Sequence, residues 1–241
     1  MIVLRLVAVF LVLLVVAACR SQSERLTAEN SSPDTVVSST PPFRTKEPDR
    51  YRAVRTITAV NAAGETLVTK TSVARDGESR RNESTVAAKT IVYLDLPEGK
   101  FVLLPDEKVY SDLSEESTID ADASEISPEG LLHEDANSTS YQRLGTESVA
   151  GRNTNKYRIV VNSSVAANVS QSETLMWIDE ALQMPVRSET KSPDGTRVTM
   201  EVSEIKLEVG SELFKVPEDY QKLTFTEFRK RLPPATKQPP E

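Results

Sequence analysis

The sequence contains few of the residues on which most metal and nucleotide sites depend. It has one cysteine, one histidine and eight glycines in 241 residues. Zinc sites need clusters of cysteine and histidine, which this composition cannot supply. The glycines form no phosphate-binding loop. Because the single cysteine has no partner within the chain, an intramolecular disulfide is excluded and the core must be held by packing alone.

An excess of positive charge is also missing. The formal net charge is −7 at pH 7, and a nucleic-acid-binding protein needs a basic face, so we expect no nucleic-acid partner. The single histidine, His133, has no nucleophile motif around it, although a general base needs a positioned nucleophile. A stretch from Asp120 starts like a calcium loop but has Glu125 and Leu131 where that loop needs Gly and Glu. We therefore expect no enzyme, no metal and no other cofactor.

The cysteine lies at the end of a short hydrophobic run. The run Leu6 to Ala18 follows Arg5 and is shorter than the roughly 20 apolar residues of a membrane-spanning helix. This layout is typical of a secretory signal peptide. The residues "VAAC" that end at Cys19 resemble the bacterial lipobox. The resemblance implies that Cys19 becomes the first residue of the mature protein and carries acyl chains such as palmitate, which would anchor the chain to a membrane.

Composition divides the rest of the chain. We expect a signal peptide at 1–18, then a lipidated cysteine and a disordered linker at 19–49, because that stretch has few large apolar side chains. A folded domain is expected at 50–224, and a helical, then proline-rich tail at 225–241. Arg20 follows Cys19, and under the enterobacterial sorting rule this favours the outer membrane over the inner. We expect the domain to face the periplasm or the exterior of a bacterial envelope.

From Tyr51 to about Leu207 the pattern predicts β-strands. Two hairpins are the clearest, one turning at 61–64 and one at 193–195, where turn-forming residues interrupt alternating apolar positions. In the last strand the apolar parity changes after Val202, which predicts a bulge near Ser203 or Glu204. Helices are predicted only from Ser127 and near the C-terminus. The acidic segment 112–135 is interpreted as a solvated loop with a short helix or, alternatively, as a moving lid.

The C-terminal third resembles a known group of envelope proteins. The segments "VAGRNTNKY", "MWIDEALQMPVR" and "ELFKVPEDYQKL" together resemble the LolA/LolB-like superfamily, which includes the outer-membrane lipoprotein-sorting proteins. The resemblance implies a mainly β (α+β) fold, with a curved antiparallel sheet that forms an incomplete β-barrel. One or two short helices would cross its open side. It also implies an apolar concave face that takes acyl chains.

Two functions follow from this resemblance. The first is a membrane-anchored carrier or sensor that binds an acyl chain or other hydrophobic ligand in the concave face. Its candidate lining residues are Trp177, Met200, Val202, Tyr157 and Ile159, although Trp177 can equally be a core residue. The alternative is a structural or interaction lipoprotein with a filled core that presents a surface to another envelope protein. The sequence does not identify the ligand or the partner.

Overall fold

A computed structural model describes residues 37–113, 139–165 and 168–233 of the chain, and it describes no side chains between 163 and 169. These residues belong to one compact unit, Pro33–Glu241. The predicted signal peptide, Cys19, the linker up to residue 36, most of the acidic segment and the proline-rich tail after residue 233 lie outside the described residues.

The described residues form a single sheet of thirteen strands. The strands are Val37–Ser38 (β1), Arg50–Val60 (β2), Thr66–Asp76 (β3), Ser79–Val86 (β4), Lys89–Leu96 (β5), Gly99–Leu104 (β6), Val109–Asp112 (β7), Thr139–Val149 (β8), Arg152–Val165 (β9), Asn168–Asp179 (β10), Pro185–Lys191 (β11), Arg197–Lys206 (β12) and Gln221–Lys222 (β13). Their order is β1-β8-β9-β10-β11-β12-β2-β3-β4-β5-β6-β7-β13. Every pair is antiparallel except β7 with β13. The predicted fold class, a mainly β protein with an antiparallel sheet that does not close, is confirmed.

Turn chemistry accounts for the two predicted hairpins. Between β2 and β3, the side-chain oxygen of Asn61 accepts a hydrogen bond from the backbone N–H of Glu65 at 2.9 Å, and Gly64 supplies a positive φ of 85°. Between β11 and β12, Gly195 has a φ of 86° and the carboxylate of Asp194 accepts from the N–H of Thr196. Side chains that bond nearby backbone groups favour such turns.

The predicted bulge in β12 is confirmed. Its register with β2 shifts between Ser203 and Lys206, and Glu204 has a φ of 54°. A second shift occurs where β10 meets β11, between Trp177 and Ile178. Pro185 lies at the start of β11 beside this shift, where a residue without an N–H is tolerated. Both irregularities bend the sheet.

Strand pairing and alternation divide the side chains between two faces. We call one the methionine face, because Met176 of β10 and Met200 of β12 share it with Tyr157 and Val202. The opposite face carries Trp177, and we call it the tryptophan face. Successive residues of a strand point to opposite sides, so Met176 and Trp177 lie on different faces.

Over β5 to β7, both faces of the sheet are covered. On the tryptophan face, Val92, Leu94 and Leu103 pack with Val209 and Phe214 from the segment after β12, which includes the 3-10 helix Ser211–Phe214. A second short 3-10 helix, Pro105–Glu107, joins β6 to β7.

On the methionine face of the same strands, Val102 and Leu104 pack with Phe228 of the helix Phe225–Arg229 (α1), whose side chain is fully buried. The predicted C-terminal helix is thus present. Thr224 caps it, because its hydroxyl accepts from the N–H of Glu227 while the Glu227 carboxylate accepts from the N–H of Thr224. The helix closes the β5–β7 end of the sheet rather than spanning the whole face.

Residues 37–49, which the composition assigned to the linker, lie against the sheet. Val37 and Ser38 pair with β8. The Phe43 ring packs 4.6 Å from the Tyr157 ring, measured between centroids. The backbone N–H of Lys46 donates to the carbonyl of Gln183 at 2.8 Å. A few well-placed contacts hold this segment despite its low apolar content.

Glu47 fixes the end of the same segment. Its carboxylate accepts from the Tyr51 hydroxyl at 2.7 Å and pairs with Arg75 at 3.1 Å and Arg80 at 2.6 Å. Burial is the main cause of a raised pKa at Tyr51, and the nearby Glu47 carboxylate raises it further. The folded unit therefore begins before residue 50.

Candidate functional site

The structure divides the five predicted lining residues between two hydrophobic clusters. Tyr157 and Ile159 pack in one cluster, and Met200 and Val202 in another that also contains Trp177. All five side chains are buried. Four of them share the methionine face, whereas Trp177 does not project from it. Met176 and Met200 are only 0% and 2% exposed, so the protein's own side chains fill this part of the face.

Trp177 is surrounded by charge on its own face. Its cross-strand partners are Lys156 and Arg187. The Lys156 ammonium lies 4.5 Å from the ring centroid and the Arg187 guanidinium carbon 5.2 Å. Cations over an indole ring are attracted by its quadrupole. Trp177 is therefore held by polar contacts on the tryptophan face as well as by its hydrophobic cluster.

Glu147 connects the indole to one of these cations. One carboxylate oxygen accepts from the Trp177 indole N–H at 3.1 Å and from the Lys156 ammonium at 3.0 Å. These hydrogen bonds hold the pKa of Glu147 below its usual range, the bond from Trp177 having the larger effect. Hydrogen bonds to the charged form of a carboxylate stabilise that form.

The turn that follows Trp177 is built around a buried carboxylate. Asp179 is 2% exposed and accepts from the backbone N–H groups of Ala181 and Leu182 at 2.9 and 2.7 Å. Arg152 donates to its other oxygen. The motif "WIDEALQMPVR" thus contains a structural aspartate, which stabilises the turn that leads from β10 to β11.

Along the methionine face, exposure increases toward one end of the sheet. We call this the hairpin end, and it contains the β2–β3 turn (61–65) and the β11–β12 turn (192–196). Ala53, Val73 and Met200 are buried, but Ile57 and Val198, nearer the turns, are only partly buried. Leu67, on the same face, is 68% exposed. The apolar face therefore continues from a packed inner part to an uncovered outer part.

Strand pairing also loosens at the hairpin end. β3 pairs with β2 from Thr66 to Asp76 but with β4 only from Thr71 onward. Within the described residues, no strand pairs with the outer edge of 66–70. The β2–β3 hairpin therefore extends past its neighbour, and no part of the chain that the structure describes covers the outer methionine face on that side.

A charged residue lies within the apolar part of the methionine face. Arg55 of β2 lies between Ala53 and Ile57 in the alternation, and burial lowers the pKa of its guanidinium. Sequence reasoning did not select Arg55 or Leu67. The alternation of β2 and β3 would have placed them beside apolar residues, but only the pairing shows which positions remain uncovered.

The described residues contain no group of three or more His, Cys, Asp or Glu side chains arranged to hold a metal ion. Over the same residues, no helix has the length and hydrophobicity needed to cross a membrane.

Comparison with known proteins gives structural likenesses only. No family model matches the chain, and no curated protein matches its sequence. Among solved structures, the chain is similar to LprF from Mycobacterium bovis, with 12% identity over 71% of this chain and 90% of that one, at a TM-score of 0.41. It is similar to the LolA superfamily protein NE2245 from Nitrosomonas europaea, with 13% identity over 71% and 92% of the two chains, at a TM-score of 0.35.

A third likeness is to the Pseudomonas aeruginosa MucA/MucB complex, with 12% identity, 73% of this chain and 59% of that chain, at a TM-score of 0.42. NE2245 belongs by its description to the superfamily that the C-terminal sequence of this chain resembles. At these identities and TM-scores the likenesses carry no argument about function.

Proposed function

We propose that this protein is a non-enzymatic, lipid-anchored lipoprotein of the bacterial envelope that holds an acyl chain or other hydrophobic ligand against the outer methionine face. The observation that carries the proposal is the gradient of exposure along that face, from buried Met200 to partly buried Ile57 and Val198 and then to exposed Leu67. An apolar surface left uncovered beside a packed core is a typical place for a hydrophobic ligand.

A chain that enters at the hairpin end would first contact Leu67, Ile57 and Val198. Each methylene group that leaves water contributes about 0.8 kcal/mol. Burying several methylene groups of an acyl chain would therefore give useful affinity. Deeper insertion would require Met200 and Met176 to move. Methionine is unbranched and adapts to new neighbours more easily than other large apolar residues, so both are suited to yield to a ligand.

The anchor in this proposal is Cys19, through the lipobox-like residues that precede it. A protein tethered by acyl chains stays close to a bilayer that contains the proposed class of ligand. The membrane itself, a lipid or acyl-chain ligand, and an envelope protein are therefore the expected partners, with the outer membrane favoured over the inner.

The alternative is an interaction lipoprotein with a filled core. One observation favours it specifically: the inner methionine face is as tightly packed as a domain core, with Met176, Val186 and Met200 at 0 to 2% exposure. If the outer face is covered by a protein partner rather than a lipid, the sheet serves as a scaffold and not as a container.

Two adjacent residues of β3 provide a matched test of the ligand face. Leu67 lies on the methionine face and Val68 on the tryptophan face, at 68% and 59% exposure. In the unit 33–241, Leu67→Glu should weaken binding of a fluorescent fatty acid by about tenfold, because a carboxylate is costly to bury against an acyl chain. Val68→Glu introduces the same charge one residue away and should leave the affinity unchanged.

Native mass spectrometry of the same unit, followed by organic extraction, would identify any lipid that co-purifies. Uptake of the fatty acid with the expected difference between the two variants supports the carrier. An apo mass together with no fatty-acid binding would overturn it and favour the interaction lipoprotein. Equal loss in both variants would show that the methionine face is not the ligand site.

A further inference from the structure

A charged cleft on the tryptophan face has no role in the function proposed above. It has a volume of about 270 Å³ and lies beside the bulge of β12, between β2, β3, β4 and the segment after β12. Its charged lining residues are Arg52, Arg81, Glu83, Glu204 and Lys206. The cleft lies on the opposite face of the sheet from Leu67, and at the other end of β2.

One wall of the cleft is fixed by internal contacts. Arg81 donates to the Glu83 carboxylate at 2.6 Å and to the backbone carbonyl of Leu213 at 3.2 Å. Its side chain is only 18% exposed. Arg81 therefore ties the 3-10 helix Ser211–Phe214 to β4 and neutralises Glu83, and this pair adds little net charge to the cleft.

The opposite wall has two cations side by side. Arg52 of β2 and Lys206 of β12 are direct cross-strand partners, and both side chains line the cleft. Within the described residues, neither makes an ion pair or a hydrogen bond to a carboxylate. Like charges directly opposite each other destabilise a sheet, so this pairing has a cost.

The bulge is what brings these cations together. The register between β12 and β2 runs without interruption to Ser203 and resumes only at Lys206 opposite Arg52. Without this one-residue shift, Lys206 would lie opposite Tyr51 instead of Arg52. Glu204, at the bulge with its positive φ, also lines the cleft but does not pair with either cation.

We propose that Arg52 and Lys206 form a binding site for an oxyanion of the phosphate type. Charge-assisted hydrogen bonds from a guanidinium and an ammonium to one phosphate group are among the stronger polar contacts in proteins, and a guanidinium can bind two oxygens at once. The same chemistry could be supplied by a soluble phosphate or by the headgroup of an anionic phospholipid. A bound oxyanion would relieve the repulsion between the two cations.

The test compares three variants of the unit 33–241. Arg52→Gln and Lys206→Gln each remove one cation of the site. Arg197→Gln is the matched control, because Arg197 lies on the same strand and face as Lys206, is exposed and lies outside the cleft. Inorganic phosphate and glycerol 3-phosphate are titrated while backbone amide shifts are followed by NMR. A second arm measures co-sedimentation with phosphatidylcholine vesicles, with and without phosphatidylglycerol.

The expected result is saturable binding that Arg52→Gln and Lys206→Gln each weaken by about tenfold and Arg197→Gln leaves unchanged. If this dependence is seen with soluble phosphate, the site takes a free phosphate group. If it is seen only with phosphatidylglycerol vesicles, the site takes a lipid headgroup. No saturable binding in either arm, or equal weakening by Arg197→Gln, would overturn the proposal.

Folding of the variants is monitored in the same experiment. Removing one of two facing cations should leave the melting temperature of the ligand-free protein at or above that of the wild type at low salt. A variant that binds less while remaining as stable therefore reports on the site and not on unfolding. Failure of this site would not affect the test of the methionine face, which uses different residues and ligands.

Discussion

At the scale of single residues, Glu147 and Trp177 offer a direct optical readout. The Glu147 carboxylate accepts hydrogen bonds from the Trp177 indole and from Lys156, and its pKa is lowered. A lowered pKa in the folded state means that the contact is fully formed above the unfolded-state pKa and is lost as pH falls through the folded-state pKa. Trp177 is the only tryptophan of the chain, so its fluorescence reports the surroundings of this one side chain.

We therefore predict a fluorescence transition of the folded protein with a midpoint below the usual glutamate range. Glu147→Gln should abolish it, because the amide does not titrate. Glu189→Gln is the control: Glu189 pairs with Arg187 on the other side of the indole, and its loss should leave the transition in place. Persistence of the transition in Glu147→Gln would show that a different group quenches the indole.

Trp177 also shows what the sequence could not reveal at this scale. It occurs in an uninterrupted apolar run with Leu175, Met176 and Ile178. Such a run has no period-two signal, so its residues cannot be assigned to faces without the strand partners. The lining role of Trp177, Met200 and Tyr157 stays a prediction, but strand pairing places only Met200 and Tyr157 on the same face.

At the scale of elements, the β4–β5 hairpin has an unfavourable turn. Its two central residues, Ala87 and Ala88, have φ angles of 48° and 64°, and both are exposed. Residues other than glycine or asparagine pay a steric cost in this left-handed region, and two-residue turns of this kind favour Asn-Gly. We predict that the double substitution Ala87→Asn and Ala88→Gly raises the free energy of unfolding by about 1 kcal/mol.

Chemical denaturation would measure the gain. The neighbouring hairpin supplies the control, because Ala63 precedes Gly64 in the β2–β3 turn and does not have a positive φ. Ala63→Gly should lower stability by up to about 1 kcal/mol, since there the added flexibility brings no relief of strain. A similar change in both turns would contradict the strain argument.

Elements whose sequence signals lie close together along the chain are the easiest to predict. The β2–β3 and β11–β12 hairpins and the bulge after Ser203 were predicted correctly, because turn residues and apolar parity lie within a few positions of each other. β4, "SRRNESTV", was not predicted, because its only large apolar residue is Val86. Pairing with β3 on one side and β5 on the other holds it in the sheet.

At the scale of the whole molecule, other segments of the chain cover some parts of the sheet and leave others exposed. The helix α1 and the segment after β12 cover the β5–β7 end on its two faces, while residues 37–49 pack at the β8–β10 side through Phe43. The hairpin end has no such cover within the described residues. This asymmetry distinguishes the proposed ligand entrance from the rest of the sheet.

The start of the folded unit gives the last prediction. A chain that begins at Arg50, the boundary expected from composition, loses the Phe43 ring contact, the Lys46 backbone bond and the Glu47 contacts with Tyr51, Arg75 and Arg80. Removing Glu47 takes a carboxylate away from the partly buried Arg75 guanidinium, and removing Phe43 uncovers Tyr157. Together these losses should lower the free energy of unfolding by about 2 to 4 kcal/mol relative to a chain that begins at Val37.

Two controls separate the contacts from the effect of truncation itself. Removal of residues 234–241 shortens the chain at the other end and should leave the melting temperature unchanged. In the longer chain, Phe43→Ala and Glu47→Gln should each reproduce part of the loss, and the double variant most of it, because their contacts share no side chain. Equal stability of the chains that begin at 37 and at 50 would instead place residues 37–49 in the linker, where their composition alone would put them.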